Sequence, residues 1–488
     1  MTWKIRWFSI LVAIILALST AQAPSTWFIE DGESWADSWS ADVAADDDDD
    51  DEDDWDDDDD DWDDDDDDDW DDDDDDCDND DCFLHDRTFD TALNNQAIIQ
   101  LTAGVDADSF AAEKNSSVVA EVGGTNLVLM ELDPVWDDQA EVTGLMTDER
   151  VVWAELNYTS HAPEGRPRYF FTSSVLTSGF VDAASLPQEL NFTSQEACVD
   201  GTGFTVAVLD TGVDVTHPLI EGMVAPGGMN TLDGSNDVAD DGNSIDDDAD
   251  GLTDELVGHG THVAGGILQI APDAQVMPFK VLNSDGVGTT FSVTSGIYLA
   301  VENDVDVINL SLGSTYDSLA IRMAVEYAAE NDVIVVAAAG NSNQYTPVEY
   351  PAAMDSVVSV ASVDAWGDKS VYSNYHETVS ISAPGENVAS AYPGGQYLSA
   401  SGTSMAAPMV SGSVVLMLER FPEATPDDVS QMLFENSTAL SLSDPLLEGL
   451  MGSGNLNIDA AIDCEAAGTG HSNLLSTDSL PLVEIRLH

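Results

Sequence analysis

The stretch Ser401-Gly402-Thr403-Ser404-Met405-Ala406-Ala407-Pro408 decides how the rest of the chain is read. Gly-Thr precedes Ser404 and a run of helix formers follows from Met405 to Leu418, which puts the Ser404 hydroxyl at a helix N-terminus. A serine hydroxyl alone is a poor nucleophile; it needs a base to take its proton and donors to hold the oxyanion. Upstream residues of those kinds occur at matching places. Asp210 closes the apolar strand-like run Phe204 to Leu209, and His259 opens a helix-like run in Gly258-His259-Gly260-Thr261-His262-Val263-Ala264-Gly265. Asn341 follows the buried-strand pattern Val333 to Ala339 and Gly340. Such positions, where a strand ends or the next helix begins, are where open α/β sheets build their sites.

Around these points the chain alternates between two patterns. Strand-like runs are Phe204 to Asp210, Val276 to Leu282, Val305 to Leu310, Val333 to Ala339, Val357 to Val363 and Val379 to Ala383. Helix-like runs follow His259 and Ser404 and fill Phe291 to Glu302, Leu319 to Glu330, Pro426 to Glu435 and Asn457 to Ile462. Continuous Val/Ile runs alternating with helices predict an α/β fold with a doubly wound parallel sheet. Further upstream, Ala97 to Leu101, Val118 to Val122, Leu127 to Leu132 and Val151 to Leu156 read as strands, with helices at Asp106 to Lys114 and Asp137 to Met146. That βαββαβ order predicts a small α+β, ferredoxin-like domain.

The blocks VAVLDTGVD, GHGTHVAGG, VVAAAGN and SGTSMAAP, in that order, resemble the four signature blocks of the subtilisin-like serine peptidases. The order Asp, His, Ser is that family's, and four blocks in sequence are far more specific than one. The resemblance implies Ser404 as nucleophile, His259 as general base and then acid, and Asp210 as the carboxylate that fixes the imidazole tautomer. It implies Asn341 as oxyanion donor beside the Ser404 backbone N–H. It also implies that Ser311, Leu312 and Gly313 run beside an extended peptide substrate, with Ala338, Ala339 and Gly340 walling the primary pocket. Glu349, just before the Tyr350-Pro351 pair, falls at the floor of that pocket and predicts a preference for Lys or Arg before the scissile bond. VVWAELNY resembles the end of a subtilase propeptide, an intramolecular inhibitor whose tail occupies the active site. His217 and His262 read as structural, and Met405, next to the nucleophile, predicts sensitivity to peroxide.

Between Asp210 and His259 lies an acidic loop in which Asp246, Asp248, Asp250 and Gly251 have the D-x-D-x-D-G spacing of calcium loops. Asp254 or Glu255 would complete it, and a structural Ca2+ ion is expected there; the alternative is a solvated acidic loop. Val257 at the twelfth position rules out a regular EF-hand, and Leu219 after His217-Pro218 removes a carboxylate from another site common in the family.

Composition sets the compartment. The formal charge is −83, with only 12 Lys+Arg, and 43% of residues are hydrophobic. Such a chain is repelled by nucleic acid and anionic membranes and attracts cations; it suits saline water, or simply stays soluble. Lys4 and Arg6 before the apolar run Ile10 to Leu18, then small residues, read as a signal peptide cut after Ala21 rather than Ala23, the alternative being an uncleaved anchor. Residues 46–81 are almost entirely aspartate and are expected to be extended and disordered, as a spacer or a cation-binding tether. Pairing of Cys77 with Cys82 and of Cys198 with Cys464 is expected, the alternative being buried thiols. The division is then a signal peptide (1–21), a disordered Asp-rich leader (22–90), a propeptide domain (91–160), a linker with the maturation site (161–199), a catalytic domain (200–464) and a tail (465–488). The expected product is a secreted, monomeric serine endopeptidase acting on proteins or peptides. Two rivals stand beside it: a catalytically silent fold that binds cations at a surface, and an esterase using the same triad.

Overall fold

The computed structural model describes residues 92–135, 137–163 and 198–464. The signal peptide, the aspartate run, the Cys77–Cys82 pair, most of the linker and the tail lie outside the described residues.

The N-terminal module has the expected element order: β1 (Ala92–Leu101), α1 (Ala107–Glu113), β2 (Ser117–Val122), β3 (Leu127–Glu131), α2 (Asp138–Leu145) and β4 (Val151–His161). Asp106 and Asp137 cap the two helices by accepting from the backbone N–H of Ser109 and Ala140, each at 2.9 Å. The strands lie in the order β2-β3-β1-β4, with antiparallel pairing throughout. Successive side chains of a strand point to opposite faces, so the sheet has two distinct surfaces. Ile99, Met130 and Leu156 pack with Phe110 and Val142 beneath the helices, whereas Ile98, Leu129 and Trp153 join the core of the larger module.

That larger module is a seven-stranded parallel sheet. Its strands are β5 (Thr205–Asp210), β6 (Met229–Asn230), β7 (Gln275–Lys280), β9 (Val307–Leu310), β10 (Ile334–Ala338), β11 (Val357–Val363) and β12 (Ile381–Pro384). They are arranged β12-β11-β10-β9-β5-β7-β6. Helices α3 (His259–Ile270), α6 (Thr403–Arg420), α7 (Pro426–Glu435) and α8 (Ile458–Ile462) supply Ile267, Val410, Leu433 and Ile462 to one face. Helices α4 (Thr290–Glu302) and α5 (Leu319–Glu330) supply Ile297, Val301 and Val325 to the other. The sheet is therefore wound on both sides, as its unbroken Val/Ile runs require.

Three short features escaped the sequence reading: β6, β8 (Val287–Thr289) and the hairpin β13 (Val388–Tyr392)–β14 (Gln396–Ala400). β6 and β8 are too short for a period to register, and the hairpin turns on Gly394 and Gly395, both at positive φ. Strand β4 also runs past Leu156 to His161, because its end is held by the larger module. Glu155 accepts from Ser318 Oγ at 2.6 Å and from the N–H groups of Leu319 and Ala320 at 2.9 Å, capping α5 from outside. Asn157 Oδ1 accepts from Phe291 N–H at 3.1 Å in the first turn of α4. Beyond them Tyr158 stacks on Tyr316, and Thr159 to His161 pair antiparallel with β8.

The ends of the larger module are joined by the Cys198–Cys464 disulfide, with Cα atoms 5.6 Å apart. Glu419 on α6 also accepts from the N–H groups of Asp200 (2.9 Å) and Gly201 (2.7 Å). Replacing both cysteines by serine should lower stability by about 2–4 kcal/mol, since the bridge closes a long loop in the unfolded chain. Thermal denaturation with and without reductant checks this; identical midpoints for both proteins would contradict it.

Candidate active site

Helices usually begin on a side chain that caps the free N–H groups. α3 and α6 begin instead on Gly258 and Gly402, neither of which offers a cap. Their first turns carry His259 and Ser404, and groups from elsewhere in the fold take over the capping.

Asp210, at the end of β5, accepts from His259: Oδ1 lies 2.6 Å from Nδ1, and both side chains are completely buried. The same oxygen accepts from Thr211 N–H at 2.7 Å. The close approach depends on glycine, because a Cβ on Gly260 would lie 2.1 Å from Gly212 O and 3.0 Å from Asp210 Cβ. Asn341 Oδ1 accepts from both the N–H (2.9 Å) and the Oγ1–H (2.8 Å) of Thr403 at the start of α6. With its oxygen fixed there, the amide nitrogen of Asn341 is turned to its other side. Thr403 Oγ1 in turn accepts from Gly340 N–H at 3.2 Å. Ser404 is fully buried; its Oγ lies 3.4 Å from Ser311 O, and Ser311 Oγ donates to Ser404 O at 3.0 Å. The two helices pack closely, since a Cβ on Gly412 would sit 2.7 Å from Ile270 Cβ.

The segment expected to form the substrate edge pairs with the end of β4. Gly313 exchanges two backbone hydrogen bonds with His161, at 2.9 and 3.1 Å, and Ala162 donates to Gly286 O at 3.0 Å. Residues 159–162 therefore lie as an extended strand between β8 and the Leu312-Gly313 edge. Ala338, Ala339 and Gly340 are buried at the end of β10. Glu349 is 3% exposed and lies against both Gly313 and Gly340; a Cβ on either glycine would come within 2.7 Å of one of its carboxylate oxygens. Reciprocal backbone bonds between Ser314 and Tyr350, at 2.8 and 2.9 Å, hold the Glu349 segment beside Gly313. His217 and His262 are bound through Nε2 to backbone carbonyls of the β13–β14 hairpin, at Gln396 and Val388.

In the acidic loop, carboxylate oxygens of Asp246, Asp248 and Asp250 lie within 4.8 Å of one another. Asp254 stands apart from this cluster, accepting from the N–H groups of Asn243 (2.8 Å) and Ser244 (3.1 Å). Burial pushes Asp248 up to about 6, helped by the like charges of Asp250, Asp285 and Asp246. Burial likewise pushes Glu255 up to about 7, with Asp250, Asp285 and Asp248 adding to it. Asp285, whose carboxylate accepts from the N–H groups of Asp247 and Asp254, was not anticipated. Nor was Asp240, because one aspartate among many carries no distinguishing signal.

A sequence profile described as the subtilase family matches residues 201–454. Subtilisin DY of Bacillus licheniformis is 36% identical over 273 residues, 54% of this chain and 91% of that protein. Thermitase of Thermoactinomyces vulgaris is 36% identical over 241 residues, 47% of this chain and 80% of its own length. Among solved structures, fervidolysin from Fervidobacterium pennivorans, described as a keratinolytic enzyme related to subtilisin, is similar with a TM-score of 0.62 and 25% identity. That similarity covers 76% of this chain and 61% of fervidolysin.

The crowded carboxylates of the loop set a pH dependence. Asp248 and Glu255 have folded pKa values raised above the ordinary carboxylate range, so their contribution to stability is full at low pH and is lost as pH rises through about 6 to 7. In a chelator the thermal midpoint should therefore fall between about pH 5 and pH 8, and Ca2+ should restore it at the upper end. A chelated midpoint that stays flat over this range, or does not respond to Ca2+, counts against a cation-binding loop.

Proposed function

This chain is a serine endopeptidase of the subtilase family, and we propose that Ser404, His259, Asp210 and Asn341 carry its chemistry. Ser404 Oγ attacks the peptide carbonyl while His259 takes its proton; His259 then returns that proton to the leaving amine. Asp210, bonded to Nδ1, keeps the imidazole in the tautomer whose Nε2 accepts and stabilises the imidazolium that forms. The Asn341 amide and the Ser404 N–H at the start of α6 hold the oxyanion. Water then hydrolyses the acyl-enzyme by the same route. The observation that carries this reading is the 2.6 Å Asp210–His259 bond, wholly buried.

The substrate is a protein or peptide bound as an extended strand between β8 and the Ser311-Leu312-Gly313 edge. A buried carboxylate at the pocket floor favours a cationic residue before the scissile bond, and Glu349 is the group that supplies it. The residues of the acidic loop fit a hard cation: Asp246, Asp248 and Asp250 offer converging oxygens, and like charge raises the cost of leaving them unneutralised. Ca2+ held there would brace the loop that leads into His259, with Asp254 fixing the loop's own backbone. The N-terminal module reads as a propeptide whose last strand fills the groove, in a chain exported and processed between the modules and acting as a monomer. Among the described residues no helix is long and apolar enough to cross a membrane.

Casein hydrolysis separates this reading from a silent fold, and casein set against short esters separates it from an esterase. The wild type should degrade casein and label with a fluorophosphonate, and Ser404→Ala should do neither. Asn341→Ala should lose roughly 10²–10³ in kcat. In a peptide library, cleavage should favour Lys or Arg over Phe and Leu, and Glu349→Gln should erase the preference. Equal cleavage after Phe and Lys by the wild type would sink the role given to Glu349.

A further inference from the structure

Asp240 lies near the start of the acidic loop yet is 4% exposed, and its carboxylate is surrounded by four donors. Oδ1 accepts from Thr211 Oγ1–H and from Gly258 N–H, both at 3.0 Å. Oδ2 accepts from Thr261 N–H at 3.0 Å and from Thr261 Oγ1–H at 2.6 Å. Thr211 is the residue after Asp210, and Gly258 is the residue before His259. The hydroxyl of Thr211 is itself an acceptor for Gly260 N–H at 3.0 Å, so a second link crosses between the same two segments. We propose that Asp240 is a positioning residue that ties the end of β5 to the start of α3 and so sets the Asp210–His259 contact.

Three observations support the assignment together. The first is that α3 has no cap of its own, so the Asp240 carboxylate is what satisfies the N–H groups around His259 and places a favourable charge at the helix N-terminus. The second is chemical selectivity. Each carboxylate oxygen receives one backbone N–H, and backbone donors cannot be rotated away. An asparagine would turn an NH2 group towards one of them, so only an acceptor at both ends fits. The third is the surroundings. Val213 N–H donates to Val238 O at 2.8 Å, and Gly212 packs so closely that a Cβ would lie 2.6 Å from Ala239 O. The segment carrying Asp240 is thus pinned along the segment that follows Asp210. Lys280 donates to Thr211 O and stabilises the buried charge from the other side. Burial pushes the Asp240 carboxyl up, and the surrounding donors and Lys280 oppose that shift.

The hydrogen bonds of Asp240 go to Thr211, Gly258 and Thr261, so its effect passes through the segments that carry Asp210 and His259. The inference rests on the triad reading above, and the test keeps the two apart. Asp240→Asn, purified after expression as the full chain, should lose about 10- to 100-fold in kcat per fluorophosphonate-titrated site, with KM little changed. Should that variant fail to fold, Thr211→Val removes one arm of the clamp while leaving the charge, and should lower kcat about 10-fold with KM unchanged. A folded variant with wild-type kcat, or with a raised KM and unchanged kcat, overturns the proposal. His259→Ala serves as the control: if it retains wild-type turnover, the triad reading itself fails, whereas its inactivity beside a fully active Asp240→Asn sinks only the clamp.

Discussion

A carboxylate and an imidazole from segments 49 residues apart meet at 2.6 Å with no solvent around them. Sealing such a pair from water is costly unless its geometry is held by the rest of the fold. Much of the architecture can be understood as the means of holding it. Parallel strands end at one edge, the following helices start there, and the glycines at 212, 258 and 260 admit backbone where any side chain would collide. The two helices that matter most surrender their own caps. In exchange, their first turns are bound by side chains from elsewhere in the fold: Asp240 for α3 and Asn341 for α6.

The fold was legible because burial on both faces writes long Val/Ile runs, and these need no context to be read. The placing of Asp210, His259, Asn341 and Ser404 was legible for a related reason: Asp210 and Asn341 follow such runs and His259 and Ser404 open helices, each near glycines that mark a close approach. Legibility failed where identity is uninformative or length too short. Asp240 and Asp285 are lost among neighbouring aspartates of the same acidic loop. β6 and β8 are too brief to show a period, and the end of β4 is set by pairing with residues distant in sequence. Asp254 shows how spacing and placement can part. Its spacing suggested a place beside Asp246, Asp248 and Asp250, whereas its carboxylate accepts from the N–H groups of Asn243 and Ser244.

The acidic character of the chain takes different forms at different depths. On the surface, like charges are softened by counterions and by distance. In the loop before α3 they are partly buried, and protonation or a cation must relieve them. Asp240 and Glu155 are buried, and their carboxylates are answered by N–H and hydroxyl groups at helix starts, partners that a chain so poor in Lys and Arg still has in abundance. Helix N-termini thus do the work that salt bridges do elsewhere.

The strand from Thr159 to His161 lies between β8 and Gly313, and on the reading proposed above it fills the substrate groove as part of the same polypeptide. A ligand tethered in this way does not leave on dilution. Its local concentration is set within the chain, whatever the amount of protein in solution. An arriving peptide competes against that fixed value rather than against a partner that can diffuse away. Breaking one peptide bond between the modules would change the regime without altering a single contact. From that moment occupancy would follow mass action, and the same groove would empty as the protein spread into a larger volume.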